Sequence, residues 1–141
     1  MTINDIQDEI IGEFEMLGEW MDKYEYIIQL GKELPPMQES LKTDDRLIKG
    51  CQSRVWLHAD FSEGILKFTA DSDALITKGL VALMIRVLSG HTPKSIAEAD
   101  IYFIERIGLQ NHLSPSRANG LLSMLKQMKL YAVAIEAKNS L

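Results

Sequence analysis

Residues 55–70 read VWLHADFSEGILKFTA, and this stretch decides the fold class. In its first half apolar and polar residues alternate, which is the period of a β-strand with one buried face. The triplet Ser62-Glu63-Gly64 predicts a short turn, and residues 65–70 predict a returning strand. We therefore expect an antiparallel hairpin. Its inward face is expected to carry Val55, Leu57, Ala59 and Phe61, and its outward face Trp56, His58 and Asp60.

Helical patterns precede this hairpin. Apolar residues recur at helical spacing at positions 6, 10, 14 and 17, and Gly18 interrupts the pattern. A second helix is predicted from Trp20 to Gly31, because glycine commonly ends helices, and Pro35-Pro36 forbids further helix. Residues 37–50 are mostly polar and predict a long surface loop, a kind of segment that often carries function.

Helical patterns also follow the hairpin. Residues 74–88 are apolar almost all round, which predicts a buried central helix. Thr92-Pro93 and Ser114-Pro115 each place a capping hydroxyl before a proline, so a helix is predicted to start at each pair. Asp100 is expected to cap another helix, which runs to Gly108. The apolar stripe of the last helix is predicted to comprise Ala118, Leu121, Leu122, Leu125, Met128, Ala132 and Ile135.

The order of helices, hairpin and helices predicts an α+β fold, with a small antiparallel sheet and helices packed on one of its faces. Strands and helices do not alternate, so the pattern does not favour a doubly wound parallel sheet. A chain of 141 residues fits one domain, residues 1–141, and is long enough to bury a core without disulfides or metals.

Charge and composition exclude several classes of function. The net charge is −5 with 15 Lys and Arg against 20 Asp and Glu, and no basic run is present, so nucleic acid is not an expected partner. The first residues lack a basic region followed by an apolar one, and the longest apolar stretch is too short to span a bilayer. We therefore expect a cytoplasmic protein without membrane association. One cysteine allows no intramolecular disulfide.

Cys51 is the main candidate for chemistry. A lone cysteine is often a small buried hydrophobic residue, but Cys51 lies in the polar sequence KGCQSR, residues 49–54, between a loop and a strand. A thiolate attacks electrophilic sulfur, and Lys49 and Arg54 are positioned in sequence to favour that anion. Gly50 would permit close approach of another molecule, and Ser53 would donate a hydrogen bond.

Other chemistries have weaker support. One cysteine and three scattered histidines do not form a pattern of metal ligands or of an iron–sulfur scaffold. A thiol hydrolase that uses His58 or His112 as base is the leading enzymatic alternative, and a cysteine-independent adaptor is a third. Asp71 and Asp73 precede the central helix; they resemble a pair of catalytic carboxylates, but capping is the favoured interpretation. Arg117 lies in the first turn of a helix, where the dipole disfavours a cation, so it is a candidate for partner binding.

Four ordered stretches resemble the SufE family of sulfur acceptors. The first is Gly50-Cys51-Gln52-Ser53 followed by Val55-Trp56. The others include Trp20, Lys23-Tyr24-Glu25-Tyr26-Ile27-Ile28, Leu30-Gly31-Lys32 and Leu34-Pro35 upstream, then Asp71-Ser72-Asp73-Ala74, Ile76 and Lys78-Gly79-Leu80, and finally His112-Leu113-Ser114-Pro115-Ser116-Arg117 with Gly120-Leu121. Together these stretches span nearly the whole chain.

The resemblance implies a sulfur carrier without a cofactor of its own. Such proteins accept sulfur as a cysteine persulfide, here on Cys51, from a pyridoxal-phosphate (PLP)-dependent cysteine desulfurase of the SufS kind, and stimulate it. They pass the sulfur to an iron–sulfur scaffold of the SufBCD type, and they share the fold of IscU-type scaffolds. The resemblance also implies that Arg117 helps to dock the desulfurase and that Asp73 lies near the cysteine loop. A paralogous branch of the family serves another desulfurase, so the resemblance does not decide which desulfurase is the partner. It also leaves open whether the chain forms a homodimer.

Overall fold

The computed structural model describes residues 1–139. Two helices precede a two-stranded hairpin, and a long helix, three short helices and a final long helix follow it. In chain order they are α1 (Ile3–Glu15), α2 (Trp20–Glu33), β1 (Val55–Ser62), β2 (Ile65–Ser72), α3 (Leu75–Leu88), α4 (Pro93–Glu98), α5 (Phe103–Arg106), α6 (Leu109–His112) and α7 (Pro115–Asn139). The α+β fold predicted from the sequence is confirmed.

The predicted hairpin is present, with β1 and β2 paired antiparallel from Val55 opposite Ser72 to Ser62 opposite Ile65. The turn is tighter than predicted, because only Glu63 and Gly64 lie outside the ladder, with φ values of 54° and 79°. Two successive positive φ angles match the twist of paired strands. The inward face is buried at Val55, Leu57, Leu66, Phe68 and Ala70, whereas Phe61 lies at the exposed end of that face.

Helix α3 is the central helix of the core, as predicted, and crosses α2 at two glycines. A Cβ atom on Gly31 would lie 2.7 Å from the backbone nitrogen of Gly79. The prediction that Gly31 ends α2 is therefore wrong, since the helix continues to Glu33 and Gly31 allows the close crossing instead. Arg86 of α3 also binds α1, with 2.6 Å from its Nη2 to an oxygen of Glu9 and to one of Glu13.

Two capping predictions are wrong, and at one of the two helices a distant side chain supplies the cap instead. Ala74 is the N-cap of α3 and contributes no side-chain hydrogen bond, while Asp71 lies in β2. At the start of α5, the side-chain oxygen of Gln7 accepts hydrogen bonds from the backbone N–H groups of Tyr102 and Phe103, at 2.9 and 3.2 Å. Gln7 of α1 therefore caps α5 in place of Asp100. The side-chain nitrogen of Gln7 also donates a hydrogen bond to the backbone carbonyl of Asp100.

Both proline-marked helix starts are confirmed. Thr92 caps α4 by accepting from the backbone of Ser95, and Ser114 accepts from the backbone N–H of Arg117 at 3.3 Å. The buried stripe of α7 is rotated from the predicted one: Leu122 is exposed, and the stripe is Gly120, Leu121, Met124, Met128 and Ala132. No helix within residues 1–139 is both long enough and apolar enough to cross a membrane.

The segment before Cys51 is a loop, as predicted, but it is anchored to the hairpin. It contains two 3₁₀ turns, Glu39–Leu41 and Asp44–Arg46. Ile48 is buried, and its backbone N–H donates to the carbonyl of Val55 at 2.8 Å. Lys42 reaches the buried carboxylate of Asp71 at 3.1 Å, and Lys78 approaches the same group at 3.3 Å.

Asp71 is therefore a structural anion rather than a cap. Burial by itself would raise the pKa of its carboxyl group. The backbone N–H of Ser72 and the ammonium groups of Lys42 and Lys78 outweigh that effect and hold this pKa below its ordinary value. The ionised carboxylate thereby ties the loop that precedes the cysteine to both β2 and α3.

Candidate functional site

Cys51 lies at the mouth of a cavity of about 190 Å³ between its own loop, α3 and the first turns of α7. The side chain is half-buried and packs against the edge of the hydrophobic core. Apolar residues form the floor of the cavity: Val55, Leu80, Val81, Leu121 and Met124. The polar neighbours of Cys51 in sequence led us to expect a polar setting, and that expectation is wrong in part, because the fold adds this apolar floor.

The rim of the cavity is polar. The loop contributes Gln52 and Ser53, and α3 contributes Thr77. The start of α7 contributes Ser114, Ser116 and Arg117. Arg117 is exposed and yet lines the same cavity as Cys51, although the two residues are far apart in the sequence. A partner that contacts this rim therefore meets Arg117 and the Cys51 loop together.

The surroundings of the Cys51 thiol favour its neutral form. Burial raises the pKa of this thiol above its ordinary value, because a thiolate loses hydration there. The Sγ atom also donates a weak hydrogen bond to the carbonyl oxygen of Gly120 at 3.6 Å. The expectation that Lys49 and Arg54 stabilise a resting thiolate is not met: burial dominates the pKa of Cys51, and Lys49 faces a separate cavity beside Ser123 and Lys126.

Asp73 anchors the other end of the cysteine loop. One oxygen of its carboxylate accepts a hydrogen bond from the backbone N–H of Arg54 at 3.0 Å. The backbone N–H of Asp73 donates in return to the carbonyl of Arg54 at 3.3 Å. Asp73 is therefore close to the cysteine loop, where the resemblance places it, and it holds the start of β1 against the end of β2.

The histidines do not join the cavity. Residues 1–139 include all three histidines, and none of them lines the cavity that Cys51 opens into. His58 accepts a hydrogen bond from Arg46 at 3.2 Å on the outward face of the hairpin, and the ring of His112 stacks on Trp20 at 3.7 Å. A thiol hydrolase would need one of these rings beside the thiol, so the arrangement does not favour that alternative. Within the same residues, no group of three or more His, Cys, Asp or Glu side chains is placed to hold a metal.

Comparison with known proteins identifies the family. Residues 8–132 match the SufE family, described as an Fe-S metabolism associated domain. The chain belongs to the SufE family. Membership supports a sulfur-acceptor role in iron–sulfur metabolism.

SufE-like proteins of bacteria and plants resemble this chain over most of its length. An uncharacterized SufE-like protein of Rhizobium meliloti is 45% identical over 127 residues, which cover 86% of this chain and 91% of that protein. One from Synechocystis is 40% identical, covering 94% of this chain and 83% of the other. A chloroplastic/mitochondrial SufE-like protein of Arabidopsis thaliana is 42% identical over 92% of this chain but only 35% of its own length.

The fold also occurs in a solved structure. The solution structure of a hypothetical protein from Thermus thermophilus superimposes with a TM-score of 0.75 at 19% identity, covering 92% of this chain and 94% of that one. At this identity the likeness concerns the fold alone. The kinship with IscU-type scaffolds that the resemblance implies stays a prediction.

Several residues that line the cavity beside Cys51 were not predicted from the sequence. Thr77 and Met124 carried no local signal, because their place at the cavity depends on how α3 and α7 cross. Gly120 appeared only within the resemblance, yet it lies inside a helix, where glycine is less favourable than alanine. A glycine on the buried face of a long helix was the signal that something packs closely there.

The resting Cys51 thiol is expected to react slowly with small alkylating reagents. Because burial raises its pKa and its Sγ faces α7, less thiolate is present at pH 7 than on an unstructured peptide. We expect an alkylation rate by iodoacetamide about tenfold below that of a peptide spanning residues 47–56, rising with pH beyond the point where the peptide reaches its plateau. Mass spectrometry of timed samples measures both rates. Equal rates and equal pH profiles would show that the thiol is exposed and unperturbed.

Proposed function

We propose that this SufE-family chain carries sulfur as a persulfide on Cys51. The donor is a PLP-dependent cysteine desulfurase, which the chain also stimulates, and the recipient is an iron–sulfur assembly scaffold. The chain contributes one nucleophilic sulfur atom, no cofactor and no turnover of its own. The observation that carries the proposal is the position of the sole cysteine at the mouth of a half-apolar cavity with Arg117 on its rim.

The transfer is an exchange between sulfur atoms. The Cys51 thiol loses its proton to solvent, and the thiolate attacks the terminal sulfur of a persulfide on the donor's cysteine. A bond forms between Sγ of Cys51 and that sulfur, the donor's sulfur–sulfur bond breaks, and the donor's cysteine leaves as a thiolate that is then protonated. One persulfide replaces another, so no external oxidant or reductant is needed. The hand-off to the scaffold repeats the exchange with Cys51 as the leaving group.

The cavity suits a carrier that must protect its cargo. A persulfide on an open loop would exchange with any thiol in solution, whereas a permanently buried one would never meet its donor. In this proposal the half-buried position of Cys51 is the sheltered state, and Leu121 and Met124 line the cavity that it shares. Gly50, at φ 89°, gives the loop the backbone freedom for a second, open state. A donor that binds the open state more tightly shifts the population towards it.

The proposed protein partners would bind at the rim of the cavity beside Cys51. A SufS-like desulfurase is proposed to contact the rim at Arg117, and a SufBCD-type scaffold is proposed as the recipient. Service to a different desulfurase, as in the paralogous branch, is the alternative within the family. The site of action is proposed to be the cytoplasm, and a homodimer is a further proposal that sedimentation would test.

The deciding experiment is mass spectrometry of the protein after incubation with a cysteine desulfurase and cysteine. We expect the intact mass to rise by one sulfur atom, the added mass to map to the peptide containing Cys51, and a reducing thiol to remove it. An unmodified protein at full desulfurase turnover would contradict the proposal. Incubation with a SufS-like enzyme and with a second type of desulfurase, in parallel, separates the two family branches.

Arg117→Ala is expected to weaken desulfurase docking without disabling the thiol. Arg117 is exposed on the cavity rim, and its own backbone N–H, not its side chain, makes the bond to Ser114. We expect the dissociation constant for the desulfurase to rise about tenfold, as for a contact of roughly 1.4 kcal/mol, while alkylation of Cys51 stays unchanged. Titration calorimetry with the desulfurase measures the affinity.

Lys94→Ala is the matched control for Arg117→Ala. Lys94 is likewise an exposed cation in the first turn of a helix that begins with proline, but it lies in α4, outside the cavity. We expect its removal to leave the affinity for the desulfurase unchanged. Equal losses in both variants would mean that net charge, rather than the position of Arg117, determines binding.

A further inference from the structure

Gly120 is the residue of helix α7 against which Cys51 packs. It is buried, and a Cβ atom added there would lie 3.2 Å from Sγ of Cys51 and 3.7 Å from both its Cα and its Cβ. Apart from the neighbouring residues and backbone of α7 itself, these three atoms are the nearest to that position, and all belong to Cys51. Glycine is less favourable than alanine inside a helix, so the lack of a side chain at Gly120 serves the contact with Cys51.

A second glycine completes the contact from the side of the loop. Gly50 has a φ of 89°, and a Cβ atom on it would lie 3.0 Å from the hydroxyl oxygen of Ser123. Gly120 and Ser123 are three residues apart, so they lie on the same face of α7. Gly50 and Cys51 thus lie along one strip of the α7 surface. The contact of Cys51 with α7 depends on the lack of a side chain at Gly120, and the contact of the loop with Ser123 depends on the lack of one at Gly50.

We propose that Gly120 is a positioning residue for the sulfur-carrying cysteine. Its lack of a side chain allows the loop to close on α7, so Gly120 determines how long the thiol, and the persulfide that replaces it, stays sheltered. This inference rests on the proposed carrier function for its biological meaning. Its physical content, the closed position of Cys51 against α7, holds for the free protein and is tested without any partner.

The contact also connects the sheltered sulfur to the docking rim. Arg117 precedes Gly120 by three residues, so it lies one helical turn away on α7. A partner that binds at Arg117 therefore contacts the helix on which the cysteine loop rests.

Gly120→Ala tests the proposal directly. The added methyl group would lie 3.2 Å from Sγ, closer than an ordinary van der Waals contact, so Cys51 must lift from α7 by a few tenths of an ångström. We expect this displacement to weaken the closed contact and iodoacetamide to alkylate Cys51 about threefold faster in the free protein. Since the lifted thiol regains hydration, the pH at which the alkylation rate is half-maximal should fall towards that of a peptide thiol. A purely structural glycine would not move this pH profile in a folded variant.

Asn119→Ala is the matched control, because it adds alanine to the same helical turn at an exposed position away from the sulfur. Circular dichroism establishes that both variants are folded. A folded Gly120→Ala protein with the alkylation rate and pH profile of Asn119→Ala would overturn the proposal. Should Gly120→Ala lose its helical signal, Ser123→Val adds bulk opposite Gly50 and must accelerate alkylation in the same way, and an unchanged rate there would also overturn it.

The two proposals fail separately in these experiments. If Gly120→Ala accelerates alkylation while the wild-type protein takes no sulfur from any desulfurase, the positioning role stands and the carrier function fails. If the wild-type protein takes sulfur but Gly120→Ala alkylates at the wild-type rate, the carrier function stands and Gly120 has no positioning role.

Discussion

Cys51→Ser is expected to abolish sulfur acceptance and desulfurase stimulation completely. Cys51 is the sole cysteine, so no other side chain in the chain can form a persulfide. A serine hydroxyl stays protonated near neutral pH and does not attack a persulfide sulfur. Mass spectrometry after incubation with a desulfurase and cysteine should show no added sulfur, and sulfide release by the desulfurase should equal its rate without the carrier.

The same variant should stay folded. Cys51 is only half-buried, in a loop, so replacing Sγ by a hydroxyl is expected to cost about 1 kcal/mol or less of the free energy of unfolding. Urea denaturation measures this value. A loss of several kcal/mol would identify a structural cysteine, and full biological activity of Cys51→Ser would favour the adaptor hypothesis.

Gly79→Ala is expected to cause the largest loss of stability among single alanine substitutions at helical glycines. A Cβ atom there would lie 2.0 Å from the carbonyl oxygen of Ile27 and 2.5 Å from its Cγ2, so α2 and α3 would have to separate. The helix crossing lies in the core, which resists added volume. We expect a loss of about 3 kcal/mol or more, measured by urea denaturation, with a lower yield of folded protein.

Gly12→Ala is the control for this substitution. Gly12 lies inside α1, and nothing lies within 4 Å of the position that its Cβ would take. Alanine is the better helix former, so this variant should gain up to about 1 kcal/mol. If Gly79→Ala were as stable as Gly12→Ala, the close crossing of α2 and α3 would be incorrect.

The contacts of Asp71 show how the loop that contains Cys51 is held by the rest of the fold. The carboxylate is buried, and Lys42 and Lys78 bind it from two different elements. Together with the bond from Arg54 to Asp73, this fixes the loop on both sides of Cys51 while the cysteine itself rests on α7. The segment between these anchors is short and contains Gly50, whose φ is 89°.

Local patterns in the sequence were sufficient for much of the fold. The alternation through residues 55–61 and the turn residues Ser62-Glu63-Gly64 predicted the hairpin, because strand period and turn chemistry involve only near neighbours. Thr92-Pro93 and Ser114-Pro115 identified two helix starts for the same reason. Four ordered stretches, the motif around Cys51 among them, together indicated the SufE family, and the sequence contains a single thiol.

Contacts between distant parts of the chain decided the rest. Gln7, from the first helix, caps the helix expected to depend on Asp100, and Gly31 proved to be a crossing point rather than a helix end. The carbonyl that faces Sγ of Cys51 belongs to Gly120, 69 positions later in the chain. Burial and the resulting rise in the pKa of the thiol depend on which surfaces the fold brings together, so the polar neighbours of Cys51 in sequence could not reveal them.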